Sequence, residues 1–97
     1  MSIRELEGFQ VRPAEVKRSF FVSEEFLRKK RYQGILLEGV HYIRIGEHKG
    51  ILYNRPLIID WMINRRFPNV HQRAIDNFLA SLPSNQPRRK SGRKPAA

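Results

Sequence analysis

A chain of 97 residues carries 19 Lys and Arg against 9 Asp and Glu, a formal net charge of +10, and contains no cysteine. One domain is the most that this length holds, and a large enzyme with a deep enclosed cleft is not expected. The missing cysteines exclude a disulfide framework and a thiolate zinc site, while the surplus charge draws polyanions, nucleic acid first and an anionic membrane surface second.

Hydrophobic residues make up 40% of the chain, with six Phe, three Tyr and one Trp, enough to build a packed core. The longest apolar runs, Ile35-Leu36-Leu37 and Leu57-Ile58-Ile59, are far shorter than a membrane span requires. No apolar run of a signal peptide follows Met1, so a cytoplasmic, nucleoid-associated location is expected, with no membrane partner.

In chain order, residues 1–17 read as an N-terminal arm, residues 18–82 as the folded body and residues 83–97 as a disordered basic tail. Arg18-Ser19-Phe20-Phe21-Val22 is aromatic and β-branched and predicts a strand. A helix over 24–33 follows. Ser23 is its N-cap, Glu24 and Glu25 suit the first turn, bases fill the last turns, Gly34 suits the C-terminal cap, and Val22 with Leu27 makes a hydrophobic staple.

Val40-His41-Tyr42-Ile43-Arg44-Ile45 and Ile51-Leu52-Tyr53, separated by Gly46-Glu47-His48-Lys49-Gly50, predict a β-hairpin. Asn54 caps a second helix with Pro56 in its first turn and Leu57, Ile58, Trp61 and Met62 on one face. Pro68 ends that helix. Asn69 and Gln72 then form a capping-box variant for a third, whose stripe is Ile75, Phe78, Leu79 and Leu82. The tail from Pro83 is Pro, Ser, Asn, Gly, Lys and Arg, too polar to offset the entropy of ordering it. The expected class is α+β: strand, helix, β-hairpin, two helices, basic tail.

Catalytic signals are weak. His41, His48 and His71 have no ligand-like spacing, Glu24 and Glu25 suit a helix N-terminus better than an acid–base pair, and no phosphate-binding glycine loop is present. No enzyme activity, metal or cofactor is expected. Binding residues are easier to nominate. Glu24 and Glu25 stand four residues before Arg28 and Lys29 and partly neutralise them, which leaves Lys30, Arg31 and Tyr32 as the better contacts for phosphate or base edges. Arg44, His48 and Lys49 project from or near the hairpin tip, and a basic hairpin beside a basic helix can span a major groove and the adjacent backbone. Phe20, Phe21, Phe26, Tyr42, Tyr53, Trp61 and Phe78 are read as core. Arg88, Arg89, Lys90, Arg93 and Lys94 supply half of the net charge within the last fifteen residues. That segment resembles a degenerate AT-hook, and a generic grip on phosphate is the favoured reading.

Leu36-Leu37-Glu38-Gly39-Val40-His41-Tyr42-Ile43-Arg44, the turn, Ile51-Leu52-Tyr53-Asn54 and the helix with Trp61 resemble the wing and following helix of excisionase-like proteins, small MerR-related winged-helix proteins of phages and integrated elements. The resemblance covers roughly residues 19–66. It implies architectural or regulatory binding of double-stranded DNA, with an integrase or a second copy of the chain as protein partner. Such proteins place two helices between the first strand and the Gly-x-His-Tyr segment, whereas residues 23–38 hold one helix and a link. Either the second helix is reduced to a turn near 34–38 or the winged domain is divergent, and both put the recognition burden on the one helix and the wing. Two other readings stay open: an RNA-binding or ribosome-associated protein, and a protein-interaction module using Trp61 or the third helix.

Overall fold

The computed structural model describes residues 8–46 and 50–85. A three-stranded antiparallel sheet is formed by β1 (Phe9–Val11), β2 (Tyr42–Arg44) and β3 (Ile51–Asn54), in the order β1-β3-β2. Four helices accompany it: α1 (Val16–Phe20), α2 (Glu24–Tyr32), α3 (Arg55–Ile63) and α4 (Pro68–Ser81). The α+β class stands, but the N-terminal third is arranged differently from the expectation.

Residues 18–22 are not a strand. Phe20 and Val22 alternate as a strand would, yet Val16 and Phe20 also lie one helical turn apart, and both are buried in the main core. Packing of that pair overrides the local β-propensity. The first strand lies instead within the supposed arm: Phe9 and Val11 point into the core with Gln10 facing out, and they pair with Asn54 and Tyr53. Pro13–Glu15 then forms a 3-10 turn leading into α1. Residues 9–17 therefore belong to the body, and two helices, not one, stand between the first strand and Gly39.

The punctuation of α2 is as the sequence indicates. Ser23 Oγ accepts the Phe26 N–H at 3.0 Å, and Leu27 is fully buried with Val22 packed on the same cluster. At the other end Gly34 takes φ +76°, its N–H bonds Arg31 O at 3.1 Å, and Ile35 N–H bonds Lys30 O at 3.0 Å. These two bonds are a Schellman motif, and the positive φ explains the glycine.

The hairpin pairs Tyr42 with Tyr53, Ile43 with Leu52 and Arg44 with Ile51. Asn54 ends β3 and caps α3 through Leu57 N–H, while its amide donates to Val40 O at 3.1 Å. Leu57, Ile58 and Trp61 are buried below. α4 begins at Pro68, which opens this helix in its first turn and does not close the one before; α3 already stops at Asn64. Phe67 occupies the cap position without a side-chain bond, and Gln72 bonds Asp76, so the expected capping box is not made. Ile75 packs with Val40 and Leu57, with Phe78 and Leu79 against them, and Phe78 meets Phe9 edge-on at 5.9 Å. Pro83–Asn85, assigned to the tail by composition, forms a further 3-10 turn held by Asn85 to Leu79 O.

Candidate functional site

Position on α2 decides what each of its bases can reach. Glu24, Leu27 and Arg31 face the sheet, at steps of three and four residues. The opposite stripe, Glu25, Arg28, Lys29 and Tyr32, is exposed, with the Tyr32 residue 75% accessible. Arg28 bonds Glu25 at 2.8 Å on this outer face, where an ion pair is weak and readily exchanged for another anion.

Arg31 has a different role from the one expected of it. Its side chain is 7% exposed. Nε donates to Tyr53 Oη at 2.9 Å, Nη2 donates to Glu24 at 3.3 Å, and Tyr53 Oη donates to the same Glu24 oxygen at 2.9 Å. The guanidinium also lies within 6 Å of the Tyr42 and Tyr53 rings. Burial opposes its charge, but the bonds and charges of Tyr53 and Glu24 outweigh that and raise its pKa further; burial pushes the Tyr53 phenol up to about 12. Arg31 thus clamps both ends of α2 to β3. Glu24 therefore pairs seven residues along the helix, with Arg31, and Glu25 pairs three along, with Arg28; the expected pairing four along is not formed.

Lys30 lies at the margin of α2, with Nζ 5.3 Å from the Phe26 ring centre. Arg65, which the sequence analysis passed over, reaches the same ring at 5.8 Å and stacks on Trp61 at 4.6 Å. Two cations thus share one aromatic ring, and neither has a carboxylate partner among the described residues. The sequence signal that could have found Arg65 was its i,i+4 spacing from Trp61.

Arg44 ends β2, half exposed, 3.7 Å from Glu38 and over the Tyr42 ring. It shares Tyr42 with Arg31, which brings the hairpin base beside α2. His48 and Lys49, and the tail bases Arg88, Arg89, Lys90, Arg93 and Lys94, lie outside the described residues. Of the aromatics read as core, Phe21 is the exception, at 87% exposure.

A buried polar chain also escaped the sequence. Leu37 N–H donates to Nδ1 of His41 at 2.9 Å, so the His41 ring proton sits on Nε2. That nitrogen meets Nε2 of His71 at 2.7 Å, and Nδ1 of His71 meets Asp60 Oδ1 at 2.7 Å. Every donor then has one acceptor. With the facing nitrogens bonded to each other, neither offers a lone pair to a metal, and no three His, Asp or Glu side chains among the described residues are arranged to hold a metal ion. Burial and the neighbouring His71 hold His41 down at about 4. A cavity of about 250 Å³ adjoins this chain, lined by Ile35, Trp61, Arg65 and Pro68 among others.

No helix among the described residues is long and apolar enough to cross a membrane. No family model matches the chain, and no curated protein or solved structure matches it either.

Proposed function

We propose that this chain binds double-stranded DNA as an excisionase-like architectural or regulatory protein, with α1 and α2 as a helix-turn-helix and the β2–β3 hairpin as its wing. What carries the reading is the outer stripe of α2: Arg28, Lys29 and Tyr32 recur at i, i+1 and i+4 on one exposed face. A helix presented in this way can enter a major groove, where Arg and Lys meet guanine edges or phosphates. The three-residue turn 21–23 suits the motif. With the first strand taken as Phe9–Val11, α1 and α2 precede Gly39, and two is the number of helices that the family resemblance implies, which supports the reading.

Arg31 is assigned to bracing, not to contact. Lys30 and Arg65 flank the stripe as phosphate contacts, and Arg44 with His48 and Lys49 serves the wing. The tail bases add sequence-blind affinity, because phosphate contacts position a protein without reading bases. A second copy or an integrase is the protein partner that this reading implies, in the cytoplasm beside the nucleoid.

The test is a salt titration of duplex binding for the native chain and for Lys29→Ala/Lys30→Ala. The native logarithmic plot should be steep, and the double variant should flatten the slope by about two phosphate equivalents at unchanged melting temperature. A flat native response overturns the proposal. Preference for structured RNA over duplex in direct competition overturns the DNA assignment in favour of RNA.

A further inference from the structure

Phe21 is the one non-glycine residue with positive φ among the described residues, at φ 61° and ψ 25°. Phenylalanine is poorly suited to that region, because its Cβ crowds the following carbonyl; glycine or asparagine occupies it at far lower cost. Burial gives no compensation, since Phe21 is 87% exposed and its ring makes no ring contact among the described residues. On grounds of folding alone this position selects against phenylalanine twice, once by backbone and once by exposure. Strain that the fold does not use points to contact with something outside it.

The surroundings indicate the chemistry of that contact. Phe21 closes α1 through its N–H to Lys17 O, and it stands two residues before Ser23, the cap of α2. Lys17 and Arg18 fill the last turn of α1. Arg18 is 82% exposed on its side chain, and its nearest carboxylate, Glu15, is 4.0 Å away, the long limit for an ion pair. An exposed aromatic residue that follows two exposed cations in the chain suits a partner whose anionic groups alternate with apolar edges, which is the chemistry of a nucleotide strand; the two acids in the first turn of α2, Glu24 and Glu25, are engaged by Arg31 and Arg28. A purely apolar protein surface would desolvate the two bases with only the long Arg18–Glu15 contact to offset it.

We infer that Phe21 is a DNA-contacting residue, laying its ring against the apolar edge of a nucleotide, a thymine methyl or a deoxyribose, where the α1–α2 turn meets the duplex, with Lys17 and Arg18 on the flanking phosphates. This rests on the DNA-binding reading above. In a helix-turn-helix the first helix crosses the backbone and the start of the second approaches the base edges, so the turn between them lies close to the groove.

Stability and affinity should then move in opposite directions. Phe21→Gly relieves the backbone and should raise the melting temperature by about 5 °C, while duplex affinity, read by fluorescence anisotropy on a mixed-sequence labelled duplex, falls about tenfold. Phe21→Asn, which also tolerates the left-handed region, should lose affinity likewise, and Phe21→Tyr should retain it. Uracil in place of thymine in the probe separates the two edges: loss of affinity on that change assigns the methyl, and no change assigns the sugar. A Phe21→Gly chain that binds within twofold of the native protein overturns the inference and leaves the DNA-binding reading intact. Failure of the native chain to bind overturns that reading itself.

Discussion

Acid should unfold this protein through the chain Leu37–His41–His71–Asp60. In the folded state His41 is 1% exposed and holds its proton on Nε2, with its other nitrogen occupied by a backbone N–H. A second proton on His41 has only Nδ1 to occupy, where it sets an N–H against the Leu37 N–H across 2.9 Å, because Nε2 already gives its proton to His71. His41 titrates at about 4 when folded, against 6.5 for a free histidine. Between those values the unfolded chain binds a proton that the folded chain refuses, so stability is complete above pH 6.5 and drains away as pH falls toward 4. At about 1.4 kcal/mol per pH unit the loss sums to roughly 3 kcal/mol. That is a large part of the roughly 4–10 kcal/mol that holds a body of this size together.

Urea melts followed by Trp61 fluorescence, taken at several pH values from about 7.5 down to about 4, measure this directly. His41→Gln keeps an acceptor and a donor on the side chain but removes the titration. It should be less stable at neutral pH by about 1–2 kcal/mol and nearly indifferent to pH over the same window. A native midpoint that stays constant down to pH 4.5, or a His41→Gln slope equal to the native one, refutes the reasoning.

Two further substitutions test the bracing of the body. Tyr53→Phe deletes the hydroxyl that accepts from Arg31 and donates to Glu24; it should lower stability by about 1–2 kcal/mol in urea melts, and an unshifted midpoint would mean that the clamp contributes nothing. Gly8→Ala places a Cβ 2.9 Å from Asn54 Oδ1, the atom that caps α3. About 1–2 kcal/mol should be lost in the native background and much less in Asn54→Ala, and equal losses in both backgrounds would show that the two sites are independent.

The sequence was most legible where a residue acts on its own chain neighbours. Ser23, Gly34 and Asn54 could be assigned their capping roles because a cap binds an N–H or carbonyl only a few residues away. The hairpin was legible for the same reason. Residues 9–22 were misread because three-residue β1 and five-residue α1 are both set by distant partners, Asn54 and Tyr53 for the strand and the Leu27–Tyr53 core for the helix. Propensity carries little weight in elements so short. The run of bases on α2 was visible, but not its division into inner and outer faces: Arg31 looks like its neighbours until Tyr53, twenty-two residues on, arrives to take its Nε. His41 and His71 lie thirty residues apart, a separation at which no local pattern reports a pair.

The strand order has a consequence for how the chain comes to be folded at all. Among the described residues, β3 is the last strand in sequence and the middle one in space, and β1 has no other neighbour in the sheet. As the polypeptide is made, Phe9–Val11 therefore waits through about 40 residues of synthesis for a partner, a loop whose closure is entropically costly. α1 and α2 emerge meanwhile, at five and nine residues too short to persist alone. Nascent chains that stop short of Ile51 should stay open along their whole length, and release of the β3 segment should let strand, clamp and helices assemble together in one late event.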